Sequence, residues 1–117
     1  MVHDWDQVTK DLSKAMGELR GGIPELMQTF SAMAKTATAA GALDPKTKEL
    51  IALAIAVAVR CDGCVGFHAK AAQKNGATRA EVMETMAMAV YMGAGPSVMY
   101  AAQAVEAFDQ FAAKAAG

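Results

Sequence analysis

The sequence predicts an all-α fold, a compact bundle of about six helices that assembles as an oligomer. Three observations carry that expectation. Strand signals are weak along the whole chain, because β-branched runs are scarce. The hydrophobic fraction is 54%, and much of it is Ala, the best helix former. Helix start and stop signals recur from one end of the chain to the other.

The elements follow in order. The first helix is expected over about Trp5 to Leu19, ending at Gly21-Gly22. The second begins near Pro24, a good first-turn residue, and runs to about Ala40, with Gly41 as its stop. The third has Asp44 as N-cap and Pro45 in the first turn, and continues through Leu50 to Val59. The fourth starts around Cys61 to Cys64 and ends at Asn75-Gly76. The fifth opens on a capping box, Thr78-Arg79-Ala80-Glu81, and ends near Gly93. The sixth follows Gly95-Pro96 and runs to about Ala113, with an Ala-rich tail from Ala112 expected to fray.

A chain of 117 residues is one domain's worth, so residues 1–117 are read as a single domain. The third helix is apolar on every side after Glu49, which calls for burial all round. The fifth also has little polar surface: Met88 and Met92 lie on one face, and Met83, Met86 and Val90 on another. Two helices that need cover on most sides point to subunit association.

Composition excludes several classes of function. The net charge is -1 and no Lys/Arg run is present, so a nucleic-acid partner is not expected. The longest apolar run, Leu50 to Val59, is far short of the ~20 residues needed to cross a bilayer, so no membrane partner is expected. The N-terminus, Met1-Val2-His3-Asp4-Trp5-Asp6, lacks the basic-then-apolar pattern of a secretory leader. A cytoplasmic location is the expectation. There, two closely spaced cysteines read as catalytic or metal-binding more often than as a staple.

Those cysteines form Cys61-Asp62-Gly63-Cys64, with His68 one turn further on. In a helix, Cys61, Cys64 and His68 share one face. At a helix N-terminus the unpaired N–H groups and the dipole both favour a thiolate, the reactive form of cysteine. His68 can act as a base toward Cys64. Three readings compete on spacing alone: a redox dithiol, a metal site, or two inert cysteines. A zinc site needs about four ligands. The only other His is His3, in an N-terminal segment expected to be mobile. No nucleotide, flavin or haem motif is present, so no cofactor is expected.

Glu49 precedes the uncharged stretch Leu50 to Val59. A carboxylate there suits the helix dipole. It could equally orient His68, as carboxylates commonly do for imidazole. Strictly antiparallel helices at ~1.5 Å per residue would leave the two groups several ångströms out of register.

Glu49, then Cys61, Cys64 and His68, in the context Leu43-Asp44-Pro45-Lys46-Thr47-Lys48-Glu49-Leu50-Ile51, resemble the signature of the AhpD-like branch of the carboxymuconolactone decarboxylase family. Asn75-Gly76-Ala77-Thr78-Arg79-Ala80-Glu81-Val82 and the Gly93-Ala94-Gly95-Pro96 break also resemble it, and the likeness covers about residues 23 to 108. The resemblance implies an all-helical fold assembled as a homohexamer or homotrimer, with thiol peroxidase or disulfide-reductase activity. It implies Cys64 as the nucleophile toward a small hydroperoxide and Cys61 as the resolving thiol. His68 and Glu49 would form the proton relay, and a dithiol or protein reductant would restore the thiols. In one departure, Gly63 stands where the best-studied peroxidase type carries a second histidine.

Overall fold

The computed structural model describes residues 1–117 and is helical throughout, without a strand. Helix α1 is Trp5–Gly22, α2 Pro24–Thr38, α3 Pro45–Ala58, α4 Asp62–Lys74 and α5 Arg79–Ala116. There are five helices, where six were expected. The expected fifth and sixth form one element, because only Ala94 leaves the helical region (φ 54, ψ -141). Pro96 follows that bend by two residues. Lacking an N–H, it is tolerated where the chain has just turned.

The caps act as the sequence predicts. Asp44 accepts from the Thr47 N–H at 2.7 Å at the start of α3. At the start of α5, Thr78 accepts from the Glu81 N–H, and Glu81 returns the bond to the Thr78 N–H at 2.8 Å. Each such cap satisfies an N–H that the first turn leaves free.

Helices α3, α4 and α5 pack mutually to form the core. Leu53 and Val57 of α3, Val65 and Ala69 of α4, and Val82 and Phe108 of α5 are its main buried members. Helix α1 lies against α4 and α5, with Trp5 wholly buried. Helix α2 has no buried residue at all.

The N-terminus, expected to be mobile, is tied down. Glu106 accepts from the N–H groups of Val2 and His3 and from the Trp5 indole. Gln110 accepts from the Trp5 N–H at 2.8 Å and donates to the His3 carbonyl at 2.8 Å. The C-terminal tail does not fray either: helix runs to Ala116, and Lys114 bridges to Asp6 at 2.8 Å.

The apolar third helix is not buried all round. Its outer row, Ile51 and Ile55, is exposed with its C-cap residue Val59, as are Met88, Tyr91 and Met92 of α5. No helix is long and apolar enough to cross a membrane.

Candidate active site

The site lies where α3 gives way to α4. Arg60 makes the reversal with φ 59, a left-handed conformation that costs a non-glycine residue roughly 1–2 kcal/mol. The Arg60 N–H bonds to the Val57 carbonyl at 3.2 Å and the Cys61 N–H to the Ala56 carbonyl at 3.0 Å. The reversal thereby satisfies carbonyls at the α3 end and starts α4 directly against α3.

Cys61 is the N-cap of α4, and its sulfur accepts the Cys64 N–H at 3.2 Å. The two cysteines are joined as a disulfide, with Cα atoms 5.2 Å apart. Both sulfurs therefore sit in the first turn of α4, where unpaired N–H groups favour negative charge.

Glu49 and His68 meet. The Glu49 Oε2 and His68 Nδ1 atoms are 2.7 Å apart. Glu49 is 8% exposed, and a buried carboxylate requires such a partner. An ionised carboxylate only accepts, so Nδ1–H donates and Nε2 is left as the basic nitrogen of the neutral ring. The register gap expected for strictly antiparallel helices does not keep the two groups apart.

Cys64 and His68 line one shallow cavity of about 240 Å³ with Ala52, Ile55 and Ala56 of α3 and its C-cap residue Val59. These four residues recur at helical spacing, so one face of α3 forms the opposite wall. Larger clefts elsewhere, such as the one lined by Lys70, Lys74 and Lys114, hold no thiol or imidazole.

The other face of α4 is held by α1. A Cβ at Gly66 would come within 3.0 Å of Thr9 and 3.2 Å of the Trp5 ring. A Cβ at Gly63 would come within 2.7 Å of Leu12 Cδ1. A side chain at position 63 would therefore require the end of the Leu12 side chain to move. Two glycines three residues apart in α4 were the sequence signal for this close approach. The lining role of Ala52 and Ala56 had no such signal.

Asp62 lies beside the Tyr100 hydroxyl. Hydrogen bonding to that carboxylate, followed by burial, holds the Tyr100 phenol above its ordinary pKa. No set of three His, Cys, Asp or Glu side chains converges in an arrangement fit to hold a metal ion.

An all-helical chain with a paired Cys-x-x-Cys and a Glu-oriented histidine defines a small helical thiol protein. The chain belongs to the carboxymuconolactone decarboxylase family, whose model matches residues 24–107. It is similar to an uncharacterized protein of Cupriavidus necator, 40% identical over 93% of this chain and 96% of the relative. An uncharacterized protein of Haemophilus influenzae is 41% identical over the same shares. The crystal structure of an apo carboxymuconolactone decarboxylase family protein from Legionella pneumophila is 55% identical. It superposes with a TM-score of 0.90 and covers 92% of this chain and 96% of that one.

Proposed function

We propose that this protein is a thiol-dependent oxidoreductase of the AhpD-like type that reduces a hydroperoxide through Cys64 and Cys61. The observation that carries the reading is the 2.7 Å Glu49–His68 contact beside the cavity that Cys64 shares with His68. A carboxylate that fixes the tautomer of an imidazole next to a cysteine pair is the arrangement that ionises a thiol.

The cycle balances. His68 Nε2 takes the Cys64 proton. The thiolate attacks the terminal oxygen of the hydroperoxide; the O–O bond breaks, an S–O bond forms, and the leaving alkoxide takes the proton from His68. Cys64 is then a sulfenic acid and the product an alcohol. The Cys61 thiol displaces water from that sulfur, forming the Cys61–Cys64 disulfide, the state in which the two cysteines stand in this structure. A dithiol reductant attacks the disulfide, leaves as its own disulfide and returns two thiols. The cycle consumes one dithiol per hydroperoxide and draws on no cofactor.

The active form on this reading is a homohexamer, supported by the exposed apolar rows of α3 and α5 and by the unburied α2 with Leu26, Phe30 and Met33 exposed. The test of function is hydroperoxide consumption by the purified protein with a dithiol as reductant. Loss of turnover in both cysteine variants supports the reading. Action on a carboxylated lactone that survives loss of both cysteines would favour a lyase instead.

A further inference from the structure

The chain ends two of its helices with the same backbone device and fills it differently. At the end of α4, the Gly76 N–H bonds to the Gln73 carbonyl and the Ala77 N–H to the Ala72 carbonyl, with Gly76 at φ 86. At the end of α3, the Arg60 and Cys61 N–H groups make the matching bonds to the Val57 and Ala56 carbonyls, with Arg60 at φ 59. Glycine is the usual residue at that left-handed position, because it has no Cβ to strain. Gly76 stands at the far end of α4 from the cysteines, and Arg60 directly precedes Cys61. Backbone strain held beside a reactive group points to a use for the side chain that bears it.

Arg60 is exposed and enters no salt bridge. The acidic groups near the cysteines are each engaged. Glu49 of α3 is bound to His68 on the Cys64 side. Asp62 is engaged by the Tyr100 hydroxyl of α5: that hydrogen bond, then burial, raises the phenol, and the Arg60 cation works the other way. From α1, Trp5, Thr9 and Leu12 meet Gly66 and Gly63, and none of the three is charged. The Arg60 guanidinium is thus the unpaired charge of this end of α4.

We propose that Arg60 is a positioning residue for Cys61: its cation stabilises the thiolate that Cys61 becomes when the disulfide opens. In that step a reductant thiolate attacks the Cys64 sulfur, which lines the open cavity. The Cys61–Cys64 bond breaks, its electron pair passes to the Cys61 sulfur, and a bond from Cys64 to the reductant forms. The second reductant thiol then displaces Cys64, and the two protons of the dithiol end on the protein thiols. A thiol of lower pKa leaves faster. The Cys61 sulfur already accepts the Cys64 N–H at 3.2 Å, and Arg60 adds a full charge to that bond. The inference deepens the proposed dithiol cycle, and its tests use no peroxide.

The test separates charge from backbone. Arg60→Lys keeps the charge and the strain, Arg60→Gly removes both, and Arg60→Glu reverses the charge and keeps the strain. Each is made in the Cys64→Ser protein, where Cys61 is the sole thiol, and alkylation by iodoacetamide, a neutral reagent, is followed against pH. At neutral pH and low salt the rate should follow charge, with Arg60→Lys close to the parent, Arg60→Gly about twofold slower and Arg60→Glu about fourfold slower. Well above the titration of the thiol the ranking should vanish or reverse, since a thiol of higher pKa is the better nucleophile once ionised. Salt at ~1 M should erase the differences. In the two-cysteine protein, reduction of the disulfide by dithiothreitol, a neutral dithiol, should rank the variants in the same order. Thermal stability should follow the backbone instead, with Arg60→Gly at or above the parent Tm. Rates that ignore charge, or that fall in all three variants together with Tm, overturn the inference. A charge ranking in a protein that consumes no hydroperoxide overturns the peroxidase reading and leaves the role of Arg60 standing.

Discussion

Glu49 on α3 and His68 on α4 meet at 2.7 Å through Oε2 and Nδ1, and Arg60 makes the chain reversal between them in a left-handed conformation. The contact joins a buried carboxylate to a half-buried imidazole four residues beyond Cys64. An i, i+4 pair on a helix has Cβ atoms about 5–6 Å apart, within reach of direct or water-bridged proton transfer.

His68→Ala should therefore slow the first oxidation of Cys64 by roughly a hundredfold, the scale of a lost general base. Glu49→Gln keeps a hydrogen-bonding group and loses the charge, so its effect should be smaller, about tenfold. Stopped-flow single-turnover oxidation over a pH series checks both. The His68→Ala profile should move to higher pH, since Cys64 loses the group that takes its proton. Rates equal to wild type at every pH would remove the relay.

Glu106 governs the attachment of the N-terminus. Burial pushes its carboxyl up, but hydrogen bonds from Trp5, Val2 and His3 together outweigh burial, and the group lies below its ordinary pKa. A carboxyl whose folded pKa is depressed contributes stability above its unfolded value of about 4.3, and that stability is lost as pH falls through the folded value. Trp5 is the only Trp, so its fluorescence reports the event. Its emission should shift to longer wavelength on acidification below about pH 4. Glu106→Gln should weaken the acid dependence, and Glu106→Ala should lower Tm by about 5 °C at pH 7.

Much of the helical frame was legible in the sequence because its signals are local. Asp44, the Thr78–Glu81 box and the glycines at 21–22 and 76 mark ends that need no knowledge of the rest of the chain. Cys61, Cys64 and His68 were legible for the same reason, since one helix sets their spacing. The Glu49–His68 contact depends on how α3 and α4 pack against each other across the reversal, which spacing does not encode. The Gly93-Ala94-Gly95-Pro96 break is present as a kink at Ala94 between two helical segments, and the two count as one element because a single residue leaves the helical region. Helix α3 was expected to be buried on all sides. Its outer row is exposed because a single chain supplies neighbours on only one side.

That exposed row gives an assembly prediction. Light scattering at micromolar concentration should return about six times the 12.2 kDa of one chain. Met92→Asp, which places a charge in the exposed apolar row of α5, should shift the protein to smaller species without loss of helix. A wild-type protein that remains at 12.2 kDa would contradict the oligomer.

Trp5 also backs α4, with its ring against Gly66. Trp5→Ala removes a fully buried aromatic and should cost about 3–5 kcal/mol in urea unfolding, a large share of a small domain's stability. A cost below about 1 kcal/mol would show that α1 does not hold α4 in place.

The central claim is that the two cysteines are chemically unequal, with Cys64 meeting the oxidant and Cys61 resolving it. The most direct measurement is single-turnover oxidation of reduced Cys61→Ser and Cys64→Ser by a hydroperoxide in the presence of a dimedone-type trap, with the modified residue located by mass spectrometry. Cys61→Ser should oxidise once, at close to the wild-type rate, and accumulate trapped sulfenate on Cys64 without turning over with dithiols. Cys64→Ser should consume no peroxide on that time scale. Sulfenate on Cys61 of the Cys64→Ser protein, formed at wild-type speed, would reverse the assignment.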